Sequence, residues 1–144
     1  MYLIGRYYHA LEQKGRLSVP KSFRETLGKE PVLTQGLEGC LFLFSKQEWE
    51  TTIDGVVKQP LTTKKSRDWA RYLSNTAVIC EPDSLGRILI PDYMQSFAKL
   101  TKRVVVVGSL NRVEIWDQEV YHNYLDQVSA SVETIVEGIE VRGE

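Results

Sequence analysis

Glu12-Gln13-Lys14-Gly15-Arg16-Leu17-Ser18-Val19-Pro20 returns 71 residues later as Asp83-Ser84-Leu85-Gly86-Arg87-Ile88-Leu89-Ile90-Pro91. Both stretches read as an acid, two variable residues, Gly-Arg, three strand-like residues and a proline. The glycine supplies the positive φ that a tight turn needs. Leu17–Val19 and Ile88–Ile90 have the composition of short strands, and Pro20 and Pro91 end the ladder and suit the opening of a helix. Further on, Gly36–Phe44 aligns with Gly108–Trp116 at an offset of 72, and Trp49 with Tyr121. Two aligned blocks in one order identify a tandem repeat.

Each copy carries the same expected elements. A short helix follows the proline, over Lys21–Leu27 with Gly28 as its stop, and over Asp92–Leu100. Two strands around a turn come next: Val32–Thr34 with Leu41–Phe44, and Arg103–Val107 with Val113–Trp116. A helix closes each copy, the first opened by the capping box Ser45-Lys46-Gln47-Glu48 and the second by Asp117. Between the copies Leu61–Asn75 reads as an amphipathic helix with Trp69, Tyr72 and Leu73 as its apolar contacts. The expected division is a repeat over 6–48, a connecting segment with a helix over 49–76, a second repeat over 77–120, and a C-terminal helix with an acidic tail over 121–144. Four strands of three to five residues cannot hold a separate core. The two copies are therefore expected to intertwine into one β-rich α+β domain with a pseudo-twofold axis.

The 144 residues are 42% hydrophobic and 26% charged, an ordinary globular composition. Apolar runs such as Leu41–Phe44 and Val104–Val107 fall far short of a membrane span. Met1–Ile4 is followed at once by Gly5 and Arg6, so no signal-peptide core is expected. Cys40 and Cys80 have no CxxC partner, which fits a reducing compartment and excludes a cysteine zinc site. The net charge of −1 hides a partition. Residues 1–113 carry 17 Lys/Arg against 11 Asp/Glu, and residues 114–144 carry one Arg against eight acids. A basic body attracts polyanions through its local field, whatever the net charge. No catalytic constellation is visible: His9 and His122 lie in no metal-ligand spacing, Cys40 has no motif-level partner, and no glycine loop cradles phosphate. No enzyme activity, metal, cofactor or small-molecule substrate is expected.

With Met1-Tyr2 and Gly5 ahead of it, Leu11–Arg24 resembles the opening of the MraZ family of bacterial transcription regulators, and Asp83–Pro91 resembles that family's second signature. The resemblance covers roughly residues 1–125. It implies two SpoVT-AbrB-like swapped-hairpin halves closing into a barrel with flanking helices. It implies ring-like homo-oligomers in the cytoplasm, associated with the nucleoid. It implies binding to repeated double-stranded DNA sites upstream of division and cell-wall genes, usually in repression. The family's acid-x-x-x-Arg motif falls on Glu12 and Arg16 and on Asp83 and Arg87. Glu12 stands where the family usually has Asp, and the second copy has Leu85 and Gln95 where the first has Lys14 and Arg24.

Affinity for DNA comes largely from neutralised phosphates, and sequence is read at base edges. Tyr2–Leu27 holds Arg6, Lys14, Arg16, Lys21 and Arg24 against Glu12 and Glu25. Lys14 and Arg16 flank the glycine of a narrow tip, and an arginine there can bond guanine bidentately in the major groove. Arg16 is the candidate reader, with Lys14, Lys21 and Arg24 as phosphate contacts. The alternative for Arg16 is that it pairs with Glu12 and pins the turn. For Arg87, beside Asp83 and with no adjacent lysine, pinning is the favoured reading, and Arg87 stays a candidate contact. Lys64-Lys65-Ser66-Arg67 with Arg71 reads as the solvated face of a helix. Tyr7, Tyr8, Phe42 and Phe44 read as core or subunit-contact residues. The competing class is an oligomeric scaffold or antitoxin-like partner binder on the same fold.

Overall fold

The computed structural model describes the backbone of residues 2–143 and the side chains of residues 2–139. Repeat 1 begins with strand β1 (Leu3–Ala10), a 3-10 turn over Gln13–Gly15, strand β2 (Arg16–Ser18) and helix α1 (Lys21–Leu27). Strands β3 (Val32–Gln35) and β4 (Leu41–Phe44) and helix α2 (Lys46–Val57) follow. Helix α3 (Lys64–Thr76) leads into repeat 2: β5 (Val78–Ile79), β6 (Arg87–Leu89), α4 (Asp92–Phe97), β7 (Arg103–Leu110), β8 (Val113–Asp117) and α5 (Gln118–Gly143). Helix α4 stops at Phe97, three residues before the expected end: Leu100 N–H returns to Gln95 O (2.9 Å) and Lys99 takes a positive φ of 52°. Pro20 and Pro91 are N-cap residues, one position ahead of the helices they open. Ser45 caps α2 through Glu48 N–H (3.1 Å).

Six strands form one antiparallel sheet in the order β1-β7-β8-β4-β3-β5. The order is a palindrome. At its centre Phe42 faces Glu114, its equivalent in the repeat, and Leu41–Ile115 and Leu43–Val113 flank that pair symmetrically about the pseudo-twofold axis. From there each copy completes the other: β1 of repeat 1 pairs with β7 of repeat 2, and β5 of repeat 2 pairs with β3 of repeat 1. The two signature strands β2 and β6 also pair with each other, with Leu17 against Ile88. A 40-residue copy by itself would leave all four of its strands without their cross-copy partners, so the intertwined arrangement is built into the pairing.

The expected barrel is not formed; the sheet is open. Its edges are β1 and β5, four strands apart, and the β2–β6 ribbon hydrogen-bonds only within itself. Strand β5 is two residues long, with Ile79 exposed, too short to bridge to the ribbon.

Both faces of the central strands are buried, which is why their sequences show no polar alternation. Val104, Val106, Leu41, Leu43, Val113 and Ile115 face the main core with Leu17, Ile88, Phe23 and Met94 from the ribbon and the short helices. Val105, Val107, Phe42, Phe44 and Trp116 face the other way, under Trp49 of α2 and Val120, Tyr121 and Tyr124 of α5. Phe42 and Phe44 are thus core residues as expected. Tyr7 and Tyr8, on the edge strand, are not in the core: Tyr7 sits edge-on to Phe23, and Tyr8 stacks on His122 with its hydroxyl 3.0 Å from Nε2. Helix α3 is tied to β3 by Thr34, a buried hydroxyl bonded to Leu73 O and Thr76 Oγ1, both at 2.9 Å.

Candidate nucleic-acid interface

The two signature turns are built from the same backbone bonds. In the first, Glu12 N–H reaches Arg16 O (2.8 Å), Gly15 N–H reaches Glu12 O (3.2 Å), and Ile90 N–H crosses to Gly15 O (2.8 Å). In the second, Asp83 N–H reaches Arg87 O (3.0 Å), Gly86 N–H reaches Asp83 O (2.9 Å), and Val19 N–H crosses to Gly86 O (3.1 Å). Gly15 and Gly86 have φ of 76° and 77°, the region glycine enters without strain. A Cβ on Gly15 would also meet Ile90 O at 2.7 Å, so the crossing strand fixes that residue as glycine a second time.

Behind the turns a further pair of residues is equivalent. Arg24 Nε donates to Val19 O (2.8 Å) and its guanidinium covers Gly86. Gln95, at the same place in repeat 2, donates to Ile90 O (2.7 Å) and covers Gly15. Arginine and glutamine look unlike in sequence, yet each brings a planar N–H group to the same carbonyl. Arg24 is therefore partly committed to the scaffold.

The acids break the symmetry. Asp83 is short enough to cap its own turn, accepting Leu85 N–H (3.0 Å), Arg87 N–H (2.9 Å) and Arg87 Nε (2.8 Å). These bonds, led by the Arg87 backbone N–H, hold its carboxyl below the ordinary carboxylate range. Glu12 is one methylene longer and makes no cap bond to its own turn. Its carboxylate reaches Arg87 instead (3.2 Å), with Ser18 Oγ at 3.4 Å. Arg87 therefore engages both repeat acids, and Arg16 makes no ion pair among the described residues. The Glu12–Arg16 pair considered from sequence is not formed.

Lys14, at a positive φ of 65°, stands exposed beside Arg16 on a turn that the ribbon holds rigid. The Gln13–Arg16 tip is one wall of an open cleft of about 880 Å³, whose other wall is Leu100–Lys102. Leu11 N–H bonds Lys102 O (2.8 Å) and closes the base of that wall. Lys21 is exposed at the first turn of α1. Arg6 is not brought to the tip: it lies four residues before Ala10, about 13 Å along β1, with its guanidinium over Tyr121 at 5.5 Å. The basic stretch of α3 is occupied locally, Lys64 on Asp68 (2.6 Å), Arg71 on Asp68 (3.6 Å) and Arg67 on Leu61 O (2.8 Å). Lys102 went unnoticed in sequence. Strand register aligns it with Lys29 of repeat 1, and no signature motif marks either lysine.

Both cysteines are buried, and burial pushes the thiols up, Cys80 to about 11, so neither offers a thiolate nucleophile at neutral pH. Among the described residues no three His, Cys, Asp or Glu side chains converge on a metal position. Among them, too, no helix is long and apolar enough to cross a membrane.

Comparison with known proteins matches the chain twice, over residues 2–72 and 73–139, to the family of MraZ proteins, described as antitoxin-like. The two matches fall on the two repeats. A protein of Caldanaerobacter subterraneus subsp. tengcongensis named transcriptional regulator MraZ is 42% identical over 138 residues, 96% of each chain. One of Alkaliphilus metalliredigens with the same name is 42% identical over 140 residues, 97% of this chain and 98% of the relative. A third, from Caldicellulosiruptor saccharolyticus, is 41% identical over 141 residues, 98% of this chain and 99% of the relative.

Proposed function

The chain belongs to the MraZ family, and from that premise we propose that it is a transcription regulator that binds double-stranded DNA sequence-specifically through the Lys14–Arg16 tip of repeat 1. The observation that carries the reading is the capture of both repeat acids by Arg87, which leaves Arg16 on an exposed turn with no ion pair among the described residues. An arginine so held is free to bond guanine in the major groove, with Lys14 and Lys21 on the flanking phosphates. Arg24 supports the turn and offers its outer N–H groups to the backbone. Arg87 organises the tip from behind, and Arg6 adds only to the general positive field. Such a protein works in the cytoplasm on the nucleoid, and in the family's pattern it represses from repeated sites near promoters of division and cell-wall genes.

The assembly proposed is a closed homo-oligomeric ring. The pseudo-twofold within the chain already uses the symmetric dimer arrangement, so further contacts run head to tail and either close into a ring or run on. Trp49 and Tyr121 pack on their own chain's second cluster. Helix α5 offers another surface: Val132, Ile135, Val136 and Ile139 recur at helical spacing on one face and are exposed. Light scattering at micromolar concentration is expected to report several subunits; a monomer would contradict the ring.

If each subunit places one or two cations on phosphate, the neutralised charge totals about 6–10. Affinity is then expected to fall roughly 10³–10⁵-fold between about 50 and 200 mM salt. Titration of a labelled duplex at four salt concentrations reads this directly. A flat profile would contradict DNA binding and favour a protein partner.

A further inference from the structure

We propose that the cleft between the Gln13–Arg16 tip of repeat 1 and the Leu100–Lys102 loop of repeat 2 is a composite seat for a DNA backbone phosphate, with Lys102 its contact from the second repeat. The inference rests on the DNA-binding reading above and adds a residue that the motif does not contain.

Three exposed cations, Lys14, Arg16 and Lys102, line one cleft, and none makes an ion pair among the described residues. The cleft's acid, Glu12, is already bonded to Arg87, so the local field is left positive. The wall bearing Lys102 is rigid. Its carbonyl accepts Leu11 N–H at the foot of the tip (2.8 Å). The preceding Thr101 is fixed through both its N–H (3.2 Å) and its hydroxyl (2.7 Å) to the buried carboxylate of Asp117. A cation on a fixed loop loses less freedom on binding than one on a mobile loop.

The pseudo-symmetric place in the molecule does not gather the same three unpaired cations among the described residues. Lys29 stands for Lys102 there, but Leu85 stands for Lys14 and Arg87 is held by two carboxylates. The first tip is therefore the more cationic of the two ends. The second repeat takes part in binding through its loop beside the first tip, while its own signature turn serves the scaffold.

The test uses a duplex enriched by the full-length protein from a random library and an unrelated duplex of equal length. Salt titrations are run with the wild type, Lys102→Gln, Arg16→Ala and Lys58→Gln, the last an equal charge change at the C-cap of α2 and outside the cleft. Lys102→Gln is expected to make the slope of log affinity against log salt shallower by about 0.9 per engaged subunit on both duplexes, with the preference between them kept. Lys58→Gln is expected to leave the slope unchanged. An unchanged slope for Lys102→Gln, with selectivity lost in Arg16→Ala, would overturn the cleft and leave the regulator reading standing. Equal losses for Lys102→Gln and Lys58→Gln would overturn it as well, since a diffuse field would then suffice. Failure of the wild type to bind either duplex would remove the DNA reading itself.

Discussion

Arg16→Ala is expected to abolish selective binding to an enriched duplex while the melting temperature stays where it is. The side chain is exposed and makes no ion pair among the described residues, so its removal costs the fold nothing. Each lost base contact is worth about 1–3 kcal/mol, and a ring repeats the loss at every engaged subunit. Arg87→Ala is expected to do the reverse. It strips the partner from Asp83 and Glu12 together, leaving two carboxylates beside one turn, and so lowers the melting temperature. Glu12, once released, then becomes free to pair with Arg16, so a moderate loss of binding accompanies it. Gel-shift titration at one salt concentration and a melting curve for each variant separate the two. Equal loss of binding in both variants, with both melting as the wild type, would contradict the division of labour.

Leu17→Ala is expected to lower the unfolding free energy by about 2–5 kcal/mol, the range for deleting a fully buried leucine from a core that cannot collapse around the gap. Leu17 is 0% exposed and faces Ile88, itself 1% exposed, at the centre of the ribbon that joins the repeats. The ribbon has three residue pairs, so the neighbouring strand has little freedom to fill the space. Leu89→Ala, one position further along β6 and 58% exposed, is expected to stay within about 0.5 kcal/mol of the wild type. Denaturant unfolding of the two variants side by side is the check. Similar losses would mean that the ribbon is not a packed junction.

The repeat made much of this architecture legible. Turns, short helices and hairpins recur at 71 and 72 residues because each copy must build the same half of a symmetric whole, and Lys21–Leu27 and Leu41–Phe44 fall where expected. What the repeat could not convey is how the halves join. Strand β1 lacks polar-apolar alternation because it is an edge exposed along most of its length, and β5 is too short to carry a pattern. Whether those edges meet depends on distances across the sheet, which no local pattern encodes, and the expected closure into a barrel fails there. The site was legible as a constellation of cations and illegible in its pairing. Exchanging Asp for Glu at position 12 reads as conservative, yet the added methylene moves the carboxylate from its own turn to Arg87. Arg24 and Gln95 read as a difference and perform one task. Lys102 lies outside every motif and joins the tip only through the chain's return at Leu11.

Hydroxyl-radical footprinting of the purified full-length protein on the DNA flanking its own gene tests the central claim most directly. The expected result is a set of evenly repeated protected sites at physiological salt, lost throughout in Arg16→Ala and retained, with weaker occupancy, in Arg87→Ala. Absence of protection by the wild type even at low salt, or an unchanged footprint in Arg16→Ala, would contradict a DNA-reading tip built on repeat 1.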